Sequence, residues 1–408
     1  MSQTFCPLPW IHVATATPGD FQVCCLARHP IMENSEGVKL NVKTHGIMEA
    51  VNSNISRGVR QDMLEGKAPK ACRHCFDVEE LGNDSPRLGF IKKYHLDIDP
   101  EKAKQITKDD GRIDQFPQYL DLRLGNTCNL RCVMCDPWNS NQWYKEWREI
   151  YGDPLIDKSV FRWSNEDSVG WREILNHLSS VKEIYFTGGE PTVIPAHLDL
   201  IKKLVDEGYS SQISLIYNSN LAAKISDQML DLWSKFKLVT IGCSLDAVGP
   251  ALEYIRYPSR WEVILKNLER IKGAGCKIWL APTVQALNAP YLLELFDWAL
   301  DSYFTLDDIS LNILRRPAHL NLQVLPHSAK LELEEKYLSW LMIHPEFGTK
   351  LKPMIGYMMR EPQNEIPLRT QLVNYCLSID RMRDLRVNQA LPELVRLLNK
   401  QRHTDLSL

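Results

Sequence analysis

Apolar positions along the middle of this chain follow two alternating rhythms. Short β-favouring runs near 119–124, 183–187, 213–217, 238–243, 277–284 and 308–313 are separated by stretches of helical spacing near 139–150, 196–207, 224–235, 261–273, 290–301 and 328–342. Strands that alternate with helices in this way predict a parallel sheet with helical crossovers. Six such units make an α/β fold of the partial (β/α)6, TIM-type barrel kind, with its working face at the C-terminal ends of the strands. Ahead of them, Ile11 to Thr17 and Phe21 to Cys25 read as a hairpin turned by Pro18-Gly19-Asp20, and residues 46–65 read as helical. The pattern divides the chain into a hairpin-and-helix module over 1–118, a barrel over 119–325 and a helical extension over 326–408.

Cysteine placement adds chemistry to this outline. Cys128, Cys132 and Cys135 stand in a CxxxCxxC run directly after the first barrel strand. Three thiolates on one short loop suit three irons of a [4Fe–4S] cube and leave the fourth iron open. A zinc knuckle is the plainer alternative, although zinc sites favour paired CxxC or CxxH hooks over this spacing. Cys243, Cys276 and Cys376 each stand alone in apolar patterns and read as core.

The run resembles the signature loop of radical S-adenosylmethionine (SAM) enzymes, with Met134 where that family often has an aromatic residue. Later segments follow the family's order. Gly188-Gly189-Glu190-Pro191 after the second strand resembles the GGEP motif, which implies contact with the amino group of SAM. Asn218 and Asn220 after the third strand resemble the polar segment that touches the ribose. Ser244 and Arg256 look like the contacts to the SAM carboxylate, and Met134 implies a backbone contact to the adenine. A surface ion pair is the alternative for Arg256.

Five further cysteines lie in the N-terminal region: Cys6, Cys24, Cys25, Cys72 and Cys75. The hairpin would bring Cys6 near Cys24 or Cys25, and the helical stretch returns the chain to the Cys72/Cys75 hook. Their layout resembles the twitch module, the shorter relative of the SPASM extension, placed before the barrel as in compact twitch radical SAM proteins. That resemblance implies an auxiliary [4Fe–4S] cluster on four of the five, with Cys24 and Cys25 both open as ligand. A zinc ribbon on the same thiols is the alternative.

Composition narrows the class. Eleven cysteines in 408 residues cannot all pair, and no apolar stretch approaches the roughly 20 residues of a membrane span. These features, with no signal-peptide pattern, predict a cytoplasmic enzyme with no membrane partner. Net charge is −3, which argues against a globally basic nucleic-acid binder. Arg315 and Arg316 follow the sixth strand and read as solvated surface or as mouth residues, while Arg381, Arg383, Arg386, Arg396, Lys400 and Arg402, interspersed with Asp380, Asp384 and Glu393, read as a solvated helix face.

The function implied is reductive cleavage of SAM to a 5′-deoxyadenosyl radical that abstracts hydrogen from an organic substrate. An external one-electron donor such as flavodoxin or ferredoxin would supply the electron. Because compact twitch relatives occur often in phage genomes, the family analogy implies a small-molecule or nucleotide-borne substrate, including a DNA base. A peptide-modifying maturase is the alternative. A zinc-stabilised nucleic-acid-binding protein is the alternative of another class. No residue is singled out as a catalytic acid or base.

Overall fold

Within the run Tyr119 to Arg123, Leu120 and Leu122 alternate with Tyr119, Asp121 and Arg123, and both leucines are wholly buried. Tyr119 and Asp121 on the other face are buried as well, so both faces of this strand are covered, as in a parallel sheet. A computed structural model describes residues 4–27, 32–34, 36–80, 85–152 and 160–399; Lys400 and Arg402 lie outside them. Its strands are β1 (His12–Thr15), β2 (Phe21–Gln22), β3 (Tyr119–Arg123), β4 (Glu183–Thr187), β5 (Ser214–Ser219), β6 (Leu238–Cys243), β7 (Lys277–Leu280), β8 (Thr283–Val284) and β9 (Asn312–Ile313). The chain is an α/β protein with a mixed sheet. It divides into two compact units, Met1–Thr127 with Val160–Tyr217 and Asp227–Val239, and Cys128–Ser159 with Asn218–Ser226 and Thr240–Leu408.

In the first unit, β1 and β2 form the expected antiparallel hairpin, with Ala14 opposite Gln22 and Thr15 opposite Phe21. Gly19, at φ +98°, allows the turn between them. The hairpin is also part of the main sheet: β1 runs parallel to β3, pairing Ala14 with Asp121. Beyond β3 the sheet continues in parallel through β4 and the first part of β5, with Asp121 beside Tyr185 and Tyr185 beside Ile216. The expected helical stretch 46–65 is two helices, Ile47–Val51 and Asn54–Leu64. Arg60 on the second is fully buried and donates to the carbonyls of Pro9, Val51 and Gly111, so one guanidinium ties three segments together.

In the second unit, the end of β6 pairs in parallel with β7, from Thr240 beside Lys277 to Cys243 beside Leu280. The strand expected over 277–284 is interrupted. Pro282 has no N–H to give the ladder, and β8 beyond it pairs with β9 in a two-stranded parallel sheet. Helices follow at Trp261–Gly273, Leu292–Ser302, His327–Ile343, Gly348–Met358, Glu365–Arg383 and Pro392–Asn399.

The solvated face expected for the last helices is corrected in part. Arg381 and Asp384 are exposed, but Asp380 and Arg383 are buried. Asp380 accepts from the Tyr254 hydroxyl and the Val387 amide. Mixed charge on a helix does not mark solvent when each charge meets a partner inside. Cys243, Cys276 and Cys376 are buried, as expected, and Arg315 and Arg316 are exposed. Among the described residues no helix is long and apolar enough to cross a membrane.

Candidate functional site

The cysteine loop belongs to the second unit and is fixed mainly by its backbone. The Arg131 and Val133 amides donate to the carbonyls of Tyr257 (2.6 Å) and Ile255 (2.8 Å). The Leu130 carbonyl accepts from the Ser140 hydroxyl, that of Cys132 from the Trp143 indole and that of Val133 from the Tyr375 hydroxyl. Beneath it lies a buried ion cluster: Glu146 meets Arg383 at 2.7 Å and Arg131 at 2.8 Å. The loop's shape therefore depends little on its thiols.

Burial pushes the Cys132 thiol above its ordinary pKa, partly offset by Arg256. Cys135 is pushed well up by burial and then by Cys132, Asp136 and Cys128. Met134 is half-buried on the same loop. Asn220 reaches the loop as well, its side-chain amide donating to Asn129 at 2.9 Å and lying 3.9 Å from the Cys128 sulfur. Ser244 follows β6, and its amide donates to the Ser219 carbonyl. Asn218 lies where a Cβ on Gly242 would stand 2.5 Å from its Oδ1, so glycine is needed for that approach.

Arg256 caps the C-terminal end of the helix Gly249–Ile255. Its Nε stands 2.7 Å from Asp246 in a buried pair, so the surface reading is not what the structure has. Burial disfavours its charge, but Asp246 and Cys132 more than offset this and hold its pKa above the usual value. Asp246 also accepts from the Thr283 amide at 2.7 Å. That acid was not among the sequence candidates, and its place one residue beyond Ser244-Leu245 was the available signal.

The Gly188–Pro191 segment belongs to the first unit. Gly188 has φ +111°, and the Gly189 amide donates to Gly125 at 3.0 Å. A Cβ on Gly189 would stand 2.1 Å from the Thr127 carbonyl oxygen, so the close backbone packing requires glycine. The Glu190 amide donates to Thr127 at 2.9 Å, and its buried carboxylate accepts from the Thr192 hydroxyl at 2.7 Å. Pro191 opens the turn Pro191–Val193.

Of the N-terminal cysteines, Cys6, Cys24, Cys72 and Cys75 line one small cavity of about 30 Å³ with Arg87. Cys25 is not among its lining residues and lies beside Asp121. Burial pushes the Cys6 and Cys72 thiols up to about 12. Asp121 is itself pushed up to about 6 by burial, tempered by Arg123 and Cys25. The sequence reading passed over this acid, although two charges within an otherwise leucine-rich parallel strand were a visible signal.

The cofactor expectation is corrected. Among the described residues, no group of three or more Cys, His, Asp or Glu side chains is arranged to hold a metal ion. That finding goes against both expected [4Fe–4S] clusters, and it leaves the zinc alternatives without a ligand set. Thiols share a loop and a cavity here without forming such a metal-holding group.

Residues 122–299 match the family model of the Radical SAM superfamily. The matched segment holds the cysteine loop, Gly188–Pro191, Asn218, Asn220, Ser244 and Arg256. Among curated relatives, the tungsten-containing aldehyde ferredoxin oxidoreductase cofactor-modifying protein of Pyrococcus furiosus is 30% identical over 135 residues, 33% of this chain and 32% of its own length. GTP 3′,8-cyclase of Pasteurella multocida is 25% identical over 41% of this chain and 45% of its own. The chain thus spans less than half the length of these two relatives. The solved structure of native anSMEcpe with bound AdoMet is 14% identical, covers 55% of this chain and 62% of that one, and gives a TM-score of 0.40.

Proposed function

We propose that this chain is a radical SAM enzyme, which binds S-adenosylmethionine and uses the 5′-deoxyadenosyl radical, formed after one-electron reduction by an external donor, to modify an organic substrate. The observation that carries the reading is the superfamily match over 122–299, which takes in every SAM-contact residue suggested by the sequence. In this reading Glu190 receives the SAM ammonium, Ser244 and Arg256 its carboxylate, Asn218 and Asn220 the ribose, and the Met134 backbone the adenine. Asp246 holds the Arg256 guanidinium in place, a bond that a fork of fixed geometry makes well. The Cys128–Cys135 loop is kept rigid by its own carbonyl contacts.

For the substrate, a peptide is the better supported of the two classes. Net charge of −3 supplies no long-range attraction for a polyanion, and β3 carries an acid and a base on one face. A nucleotide is the second reading, favoured by the likeness to GTP 3′,8-cyclase. Protein isolated without oxygen and treated with SAM and dithionite should release 5′-deoxyadenosine, measured by liquid chromatography with mass detection. No nucleoside after exhaustive reduction would overturn the reading.

A further inference from the structure

A surface pocket of about 540 Å³ opens within the second unit, a volume in the range of small-molecule sites. One wall is the segment 257–260, which follows the helix Gly249–Ile255, and the other is the segment 384–390, which follows the helix Glu365–Arg383. The Tyr257 ring carries the guanidiniums of Arg131 and Arg383 at 4.9 and 5.0 Å from its centroid, so two contacts hold the first wall in place. None of the residues assigned to SAM lines this pocket.

Its polar groups leave donors over. Ser259 is 4% exposed, and its hydroxyl has no hydrogen-bond partner. Buried hydroxyls are otherwise bonded, so one left alone in the wall of a pocket points to a ligand. Arg260 is exposed, and its guanidinium has neither an ion pair nor a hydrogen bond among the described residues. Arg386 is met only by the Leu385 carbonyl at 2.7 Å and, loosely, by Asp384 at 3.8 Å. The acids alongside do not cancel these cations. Glu253 already accepts from the Trp261 amide at 2.8 Å, and the Asp384 side chain is 97% exposed and screened by water.

We propose that this pocket binds an organic phosphate monoester, whose phosphate accepts hydrogen bonds from Ser259, Arg260 and Arg386. Phosphate oxygens set tetrahedrally can meet donors that come from two walls, whereas a planar carboxylate fills one guanidinium fork. The volume leaves room for a body beyond the phosphate, and Pro250, Pro258 and Leu385 offer that body apolar contact. This binding does not depend on the radical SAM reading.

Isothermal calorimetry on the full chain, with phenyl phosphate as the probe, tests the assignment. Wild type should bind it, with phenol giving no heat and inorganic phosphate and benzoate each binding roughly tenfold more weakly or worse. Arg260→Met and Arg386→Met, both at exposed positions, should each weaken the probe by a similar factor without moving the melting temperature. Ser259→Ala should also weaken it, yet hold or raise the melting temperature, because the change removes a buried hydroxyl that has no partner in the fold. No binding by wild type, undiminished binding by either arginine variant, equal affinity for inorganic phosphate or benzoate, or a lower melting temperature for Ser259→Ala would overturn the proposal.

Discussion

Replacing Glu146 by Gln removes the anion from the ion cluster under the cysteine loop. Its side chain is 4% exposed and lies between Arg383, 0% exposed, and Arg131, 28% exposed. Arg383 also faces the rings of Trp143 and Tyr257, at 5.1 and 5.0 Å from their centroids. Gln keeps the volume but leaves two cations without a counter-charge, and breaking a buried pair costs about 3–5 kcal/mol. Arg131 can turn to water and recover part of this, which places the expected loss near the lower bound, about 3 kcal/mol. Unfolding entropy for 408 residues is about 0.9 kcal/mol/K, so the melting temperature should fall by about 3–4 °C. Arg383→Met retains bulk and leaves Glu146 paired with Arg131, and it should cost clearly less. Differential scanning calorimetry with urea titration reads both. An unchanged Glu146→Gln protein, or equal losses in the two variants, would show that these charges behave as an ordinary surface pair.

Three further outcomes follow from other parts of the molecule. Gly189→Ala sets a Cβ against the Thr127 carbonyl and should cost about 1–3 kcal/mol of stability, visible in urea denaturation, with SAM binding weakened in calorimetry. His197 is buried against Phe186 and Tyr217, and burial lowers its pKa from 6.5 to about 3. The unfolded chain then binds the extra proton, so stability is full above pH 6.5 and falls on acidification, by about 3 kcal/mol at pH 4; His197→Gln should flatten that slope, and an unchanged slope would refute the assignment. Glu190→Gln should weaken SAM binding in calorimetry, and unchanged binding would remove Glu190 from the proposed SAM site.

Much of the strand order was legible because a parallel strand and its crossover helix leave opposite periodicities. β3, β4, β5 and β6 lie within a residue or two of the predicted runs, and the helix Trp261–Gly273 matches its own. The split at Pro282 could have been read from that residue alone. What could not be read is convergence: CxxxCxxC fixes how far apart three thiols are along the chain, not whether their sulfurs meet. Partners distant in sequence were equally hidden, as Glu146 with Arg383 and Asp246 with Arg256 show. Arg383 looked like surface because nothing near it in the chain revealed the acid 237 residues upstream.

The Tyr375 hydroxyl that holds the Val133 carbonyl comes 242 residues after it in the chain. On a ribosome adding about 5–20 residues per second, that interval lasts roughly 10–50 s. Throughout it the loop bearing Cys128, Cys132 and Cys135 has been made but lacks its last clamp, and Arg383 arrives later still. The thiols therefore pass through a nascent stage in which they are open to oxidants and stray metals, and the order of synthesis makes this loop one of the last parts of its unit to be secured.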